Sequence, residues 1–198
     1  MTNGMESTMA AKPNIERERW QEMDDEQLVT ACIGPLLARL RGASGKDKAA
    51  AYRGLSPERQ DIFMLRVLDG HARGSAWEYY AWTGLLLQSP DQWAAILAAL
   101  RRIGSLELLE ALADTAAVHR KRIGPNAPGA DASELREADG PAQPLSEAKA
   151  SDLDNDPGLA AEIAGLYELY RSLVPEAYKL AAESIRREPQ AYLSHELS

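Results

Sequence analysis

Three histidines, one cysteine and 30 acidic side chains are the groups in this 198-residue chain that could carry proton-transfer, nucleophilic or metal chemistry. Such chemistry needs these groups at short spacings that bring them onto one face. His71, His119 and His195 are isolated in the sequence, and Cys32 has no neighbouring partner. Asp69 and His71 stand two residues apart, which on a helix sends their side chains to different faces. Each histidine is therefore expected at a surface or a helix end. There is no phosphate-binding glycine loop, no dinucleotide fingerprint, no nucleophile elbow and no paired-histidine zinc motif. The expectation is a protein that is not an enzyme and uses no metal or cofactor. An enzyme assembled from distant positions stays open as an alternative.

Two acidic groups carry the remaining chemistry, Asp24-Asp25-Glu26 and Asp152-Leu153-Asp154-Asn155-Asp156. The plain reading is that acids belong where a helix begins, beside the positive end of its dipole. The second group lacks the glycine and the distal glutamate of a calcium loop. An electrostatic reading makes both groups docking points for a basic surface, including one shaped for phosphates. On it, Asp24, Asp25, Glu26, Asp152, Asp154 and Asp156 are the candidate partner contacts.

The net charge of −8 is unevenly spread. Residues 1–30 carry 7 acids and 3 bases, 31–122 carry 9 and 13, 123–156 carry 8 and 2, and 157–198 carry 6 and 4. Acidity therefore sits at the ends and in one internal segment, around a mildly basic middle.

Helical periodicity must position all of these groups, since no alternating β-type run occurs. The chain reads as all-α, a compact multi-helix bundle. Helices are predicted over about 15–33, 35–42, 57–72, 75–88, 90–103, 105–121, 157–172 and 175–187, with ends uncertain by roughly two to four residues. Gly34-Pro35 should kink or break the first pair, and Pro175 should open the last helix. Ser56-Pro57, Ser89-Pro90 and Asp156-Pro157 each place a capping residue before a first-turn proline. Gln92 completes a capping-box pattern with Ser89. Trp93, Ile96, Leu97, Leu100 and Ile103 form one stripe, and Gly104 stands where a terminating glycine belongs. Arg120, Lys121 and Arg122 suit the negative end of a helix dipole.

The stretch ARGSAWEYYAWTGLLLQ concentrates Trp77, Tyr79, Tyr80 and Trp82. On a helix these lie along two sides, which predicts a central, buried element rather than a stacking platform for nucleic acid. Gly84 would admit a close neighbour there.

Residues 124–158 hold four glycines and five prolines with three leucines as the large apolar groups. Such a segment cannot offset its ordering entropy, so a flexible acidic linker is expected over 123–156. It would follow a mobile arm at 1–14 and a main block at 15–122, and precede a helix pair at 157–193 that packs back on the block. All helices would form one domain. A single cysteine, a polar N-terminus and the lack of a long apolar run point to a reducing, cytoplasmic location without membrane contact.

The order of features over about 55–122 and 157–193 resembles the bacterial DNA-mimic-protein-type domain, a small all-α domain of largely uncharacterised acidic proteins. In that family a turn of Asn-Gly-Gly-Phe type leads into an aromatic helix, followed by an amphipathic helix ending in Ile/Leu-Gly. Here Ala72-Arg73-Gly74-Ser75 stands at the turn, Trp77-Glu78-Tyr79-Tyr80 at the aromatic helix and Ile103-Gly104 at the junction; Ile185 to Leu193 matches the closing helix and aromatic tail. Gly74, Trp77, Tyr80, Trp82, Trp93 and Gly104 are accordingly the motif residues. Two departures stand out: the turn lacks Asn-Gly, and the middle block is net positive. The resemblance implies a non-enzymatic protein that binds another protein, an acidic mimic occupying the DNA-binding surface of a regulator. Direct nucleic-acid binding is not expected. The alternative binding reading is an immunity or accessory protein for a neighbouring gene product, acting as a monomer or homodimer.

Overall fold

The computed structural model describes residues 12–123 and 150–194. Ten helices and no strand occur among them: α1 (Arg17–Glu22), α2 (Asp25–Arg39), α3 (Gly45–Arg53), α4 (Pro57–Ala72), α5 (Ala76–Leu87), α6 (Pro90–Ile103), α7 (Leu106–Ile123), α8 (Ala150–Asn155), α9 (Pro157–Arg187) and α10 (Pro189–Tyr192). None of these helices is long and apolar enough to cross a membrane. The readings made for residues 1–11, for linker residues 124–149 and for His195 lie outside the described residues.

Two helices organise the rest. α4 sends Ile62, Leu65, Leu68 and Ala72 into the core and packs on α2, α5 and α6. α9 buries Ile163, Tyr170, Val174, Ala177, Tyr178, Ala181 and Ile185 at helical spacing and runs across α2, α5, α6 and α7. The 157–193 region thus does pack on the main block, but not as a pair of helices. α9 continues unbroken for 31 residues through Pro175. An interior proline costs about 3 kcal/mol through its missing N–H and ring clash. Burial of Val174, Ala177 and Tyr178 around it offsets that cost. Pro35 likewise lies inside α2 rather than between two helices. There Ile33 and Leu36, on either side of the Gly34-Pro35 pair, are both core residues.

Helix ends follow local chemistry, though not always at the expected residue. Asp24 caps α2 with a full capping box: its carboxylate accepts from Gln27 N–H at 2.7 Å and Gln27 Oε1 accepts from Asp24 N–H at 3.3 Å. Ser44, Ser75 and Asp156 cap α3, α5 and α9 through their side chains. Ser56 and Ser89 occupy cap positions before prolines without a side-chain cap bond, so the Ser89/Gln92 box does not form. α3 was missed because its Gly-Lys-Asp-Lys-Ala sequence buries only Ala51 and offers almost no apolar periodicity.

At the chain ends, Ser194 N–H donates to the Pro13 carbonyl at 3.0 Å and the Lys12 ammonium bonds the Gln190 carbonyl. Residues 12 and 13 are therefore fastened to α10 and the residues that follow it. α8 similarly takes Ala150 to Asn155 out of the expected linker.

Gly104 adopts φ 92°, and the N–H groups of Gly104 and Ser105 both reach the Leu100 carbonyl, at 3.0 and 2.9 Å. A side chain in that left-handed conformation is strained. Gly165, in the interior of α9, has open space where a Cβ would stand. Gly104→Ala should therefore lower unfolding stability by about 1 kcal/mol, whereas Gly165→Ala should raise it by about 0.5–1 kcal/mol. Urea unfolding followed by circular dichroism measures both, and equal effects of the two substitutions would contradict the assignment.

Candidate functional site

The most polar feature of the interior is the Asp69 carboxylate. Asp69 lies on the buried face of α4 beside Leu65, Leu68 and Ala72 and is 1% exposed. An isolated buried carboxylate is prohibitive, so donors must converge on it. Tyr170 and Tyr178 of α9 donate their hydroxyls at 3.0 and 2.8 Å. Arg73, one turn along α4, grips it through Nε at 3.0 Å and Nη2 at 2.6 Å. The third nitrogen of Arg73 reaches both oxygens of Glu26 on α2, at 2.7 and 2.9 Å. Arg66 donates to the Tyr178 hydroxyl at 2.7 Å and stands 3.7 Å from both Glu26 and Asp69. Tyr167 closes the group by donating to the Arg73 carbonyl at 2.6 Å.

These groups floor a cleft of about 590 Å³ between α2, α4 and α9, with Asp24, Asp25, Arg171 and Pro175 on its walls. Its electrostatics are those of satisfied partners. Partial burial pulls the Arg73 guanidinium down, but its hydrogen bonds to Glu26 and Asp69 prevail and hold it above its ordinary range. Burial, reinforced by the Asp69 charge, raises both Tyr170 and Tyr178, so they stay protonated donors. Asp69, Arg73, Tyr170 and Tyr178 are committed to one another, an arrangement suited to fixing helices in place.

The structure separates the six candidate acids and gives five of them internal tasks. Asp24 caps α2. Asp25 pairs with Arg186 at 2.6 Å, and Glu26 belongs to the Arg73 cluster. Asp156 caps α9 by accepting from Leu159 N–H at 3.0 Å. Asp152 accepts from Arg122 at 3.0 Å and from the Tyr80 hydroxyl at 3.3 Å, pinning α8 onto α5 and α7. Asp154 is exposed. The two acidic groups approach opposite regions of α9: Asp156 caps its start, whereas Asp25 pairs near its end.

The aromatic helix divides in a way its sequence concealed. Tyr79 and Tyr80 are fully buried, and Tyr79 packs against Tyr170 with ring centroids 4.9 Å apart. Trp93 is buried as expected. Trp77, by contrast, is 45% exposed and shares the outer face of α5 with Ala81 and Leu85, which corrects its expected core position. Trp82 is half-buried, its ring stacked on His71 at 3.9 Å. Both sides of the helix are apolar, so periodicity could not say which one faces inward. Gly74 has no left-handed φ, and a Cβ there would meet the Glu78 carboxylate. The turn at Gly74 therefore does not call for a left-handed residue.

His119 is buried, not at a surface or helix end. Its ring stacks on Tyr80 at 4.7 Å, and its Nε2 lies 2.9 Å from Thr83 Oγ1, whose hydroxyl donates to the Tyr79 carbonyl at 2.7 Å. That geometry assigns the neutral Nε2–H tautomer. Burial, with help from Arg122, depresses the imidazole to about 4. Burial against a weak opposing pull from Arg59 raises the Cys32 thiol to about 12, which keeps it unreactive.

Carboxylates without ion pairs lie elsewhere. On α7, Glu107, Glu110 and Asp114 follow one another at spacings of three and four, all exposed and with no salt bridge among the described residues. Beside them a crevice of about 380 Å³ separates α7 from α9, lined by Asp114, Ala117, Val118, Lys121, Glu162 and Leu166. Leu106 and Leu169, 56% and 43% exposed, are apolar side chains on the same two helices. Sequence reasoning passed over this stripe because its acids are not consecutive. Their spacing of three and four on a helix was the available signal. For the Asp69 cluster the signal was an acid within an apolar stripe, flanked by Arg66 and Arg73 at helical spacing.

No protein-family model matches the chain, and neither the curated proteins nor the solved structures provide a match.

Two outcomes follow from the buried groups. Arg73 is 43% exposed, yet Arg73→Ala should cost about 3 kcal/mol of stability because it removes the nearest positive partner of the buried Asp69; Arg171→Ala, removing a surface pair, should cost under about 1 kcal/mol. Comparable losses in chemical denaturation would refute the distinction. His119 is neutral when folded, with its value lowered from 6.5 to about 4, so between those pH values the unfolded chain binds the extra proton. Stability should fall as pH drops from about 6.5 towards 4, by up to roughly 3 kcal/mol from this group. His119→Gln should flatten that part of the pH–stability profile, and an unchanged slope would exclude the assignment.

Proposed function

We propose that this chain is a non-enzymatic protein-binding protein whose contact face is the acidic outer surface of α7 and the neighbouring part of α9. The observation that carries the reading is the run of exposed, unpaired Glu107, Glu110 and Asp114 along one helix, with Glu162 across the adjoining crevice. Along the α7 axis the three carboxylates extend over about 10 Å at the helical rise of 1.5 Å per residue. An acidic ridge of that kind favours a basic partner surface, such as the one a regulator uses for DNA, in agreement with the family resemblance. The mimic reading thereby moves from Asp24–Glu26 and Asp152–Asp156, which are mostly engaged in caps and pairs, to exposed acids that form no salt bridge among the described residues.

The test is an anisotropy titration of the labelled full chain against purified basic helix-turn-helix DNA-binding domains. A complex is expected that competes with DNA and weakens about tenfold or more between roughly 0.05 and 0.2 M salt. The triple variant Glu107→Gln, Glu110→Gln, Asp114→Asn should abolish it, whereas Asp24→Asn, which retains a capping side chain, should not. A salt-indifferent complex, or one the triple variant leaves intact, would overturn the proposal.

A further inference from the structure

The positive middle block of the sequence has a location in the fold. Residues 39–53 carry five bases, Arg39, Arg41, Lys46, Lys48 and Arg53, against the single acid Asp47. They occupy the end of α2, the following loop and α3. Six arginines elsewhere in the bundle, Arg66, Arg73, Arg102, Arg122, Arg171 and Arg186, each meet a carboxylate. Arg41, Lys46, Lys48 and Arg53 are exposed and form no salt bridge among the described residues.

The helix dipole accounts for Arg53, in the last turn of α3, but not for the two lysines of that helix. Lys46 and Lys48 stand in the first two turns of α3, where positive charge opposes the helix dipole. The helix gains little elsewhere, since it buries only Ala51. Lys46 and Arg53 are seven residues apart, two turns along the same outward face, with exposed Ala49 and Ala50 between them. Their Cα atoms are separated by about 10.5 Å along the axis.

We propose that this α2–α3 end of the molecule binds the sugar-phosphate backbone of a nucleic-acid duplex, without reading its sequence. The chemistry selects that partner over others. A stable protein interface has an apolar centre, and membrane insertion would need apolar side chains among the cations. Among the described residues the exposed large hydrophobics are Trp77, Leu85, Leu106 and Leu169, and none of these lies in this patch. A polar, positive surface with short alanines between long cations is the composition of a phosphate contact. The acidic excess lies on other parts of the chain, so the patch acts locally. This reading departs from the sequence-based expectation of no direct nucleic-acid binding and is independent of the α7 face.

The experiment uses the labelled full chain, titrated with a mixed-sequence DNA duplex of about 20 base pairs and with vesicles of an anionic phospholipid, from about 0.02 to 0.15 M salt. Duplex binding is expected, with a log–log salt slope near −3 for three to four neutralised phosphates. Lys46→Gln/Arg53→Gln, two exposed substitutions, should reduce that slope by about two and weaken low-salt affinity at least tenfold. Glu107→Gln/Glu110→Gln should leave duplex binding in place. No duplex binding at the lowest salt, binding to vesicles alone, or equal binding by the Lys46/Arg53 variant would each overturn the proposal.

Discussion

A charged carboxylate inside an apolar helix face constrains everything around it. Asp69 can be buried only if donors converge on it, and those it receives are Tyr170 and Tyr178 of α9 together with Arg73 at the end of α4. Arg73 in turn requires Glu26, which brings in α2. Three helices are thereby placed in one register by a requirement for hydrogen bonds rather than by non-directional apolar contact. Tyr170 and Tyr178 also stand on either side of Pro175. Because both bond the same carboxylate, each half of α9 is fastened to α4, and the proline cannot separate them.

That constraint determines which charges are left for a partner. Acids at the start of α2 and before α9 look available in the sequence, yet the fold uses them for caps, for the Arg186 pair and for the Arg73 and Arg122 pairs. Among the charges left outward are Glu107, Glu110 and Asp114 on α7 and Lys46, Lys48 and Arg53 on α3, two groups of opposite sign contributed by separate helices. A net charge of −8 conceals this, since it adds both groups together.

Much of the architecture was legible because it depends on local chemistry. The prolines at the starts of α4 and α6, the stripe of Trp93, Ile96 and Leu100, and the left-handed Gly104 follow from helix-end and periodicity rules. Three features depend on tertiary structure and were not legible. Pro175 reads as a helix start unless the tyrosines around it are known to share an anchor. Trp77 reads as core because both faces of α5 are apolar, and its exposure follows from where α9 lies. His119 reads as a lone surface histidine, whereas Thr83 and Tyr80 supply a buried niche for its neutral form. For the acids, residue type and spacing mark charge but not its pairing, since Asp25 meets Arg186 across 161 residues.

If Asp69 unites α2, α4 and α9, these helices must open together. Native-state amide hydrogen exchange measures this directly through the opening free energies of amides along α9 on both sides of Pro175. The account predicts that buried amides near Tyr170 and near Tyr178 exchange with the same free energy as the core of α4, equal to global unfolding. Independent, lower-energy opening of either half of α9 would contradict it.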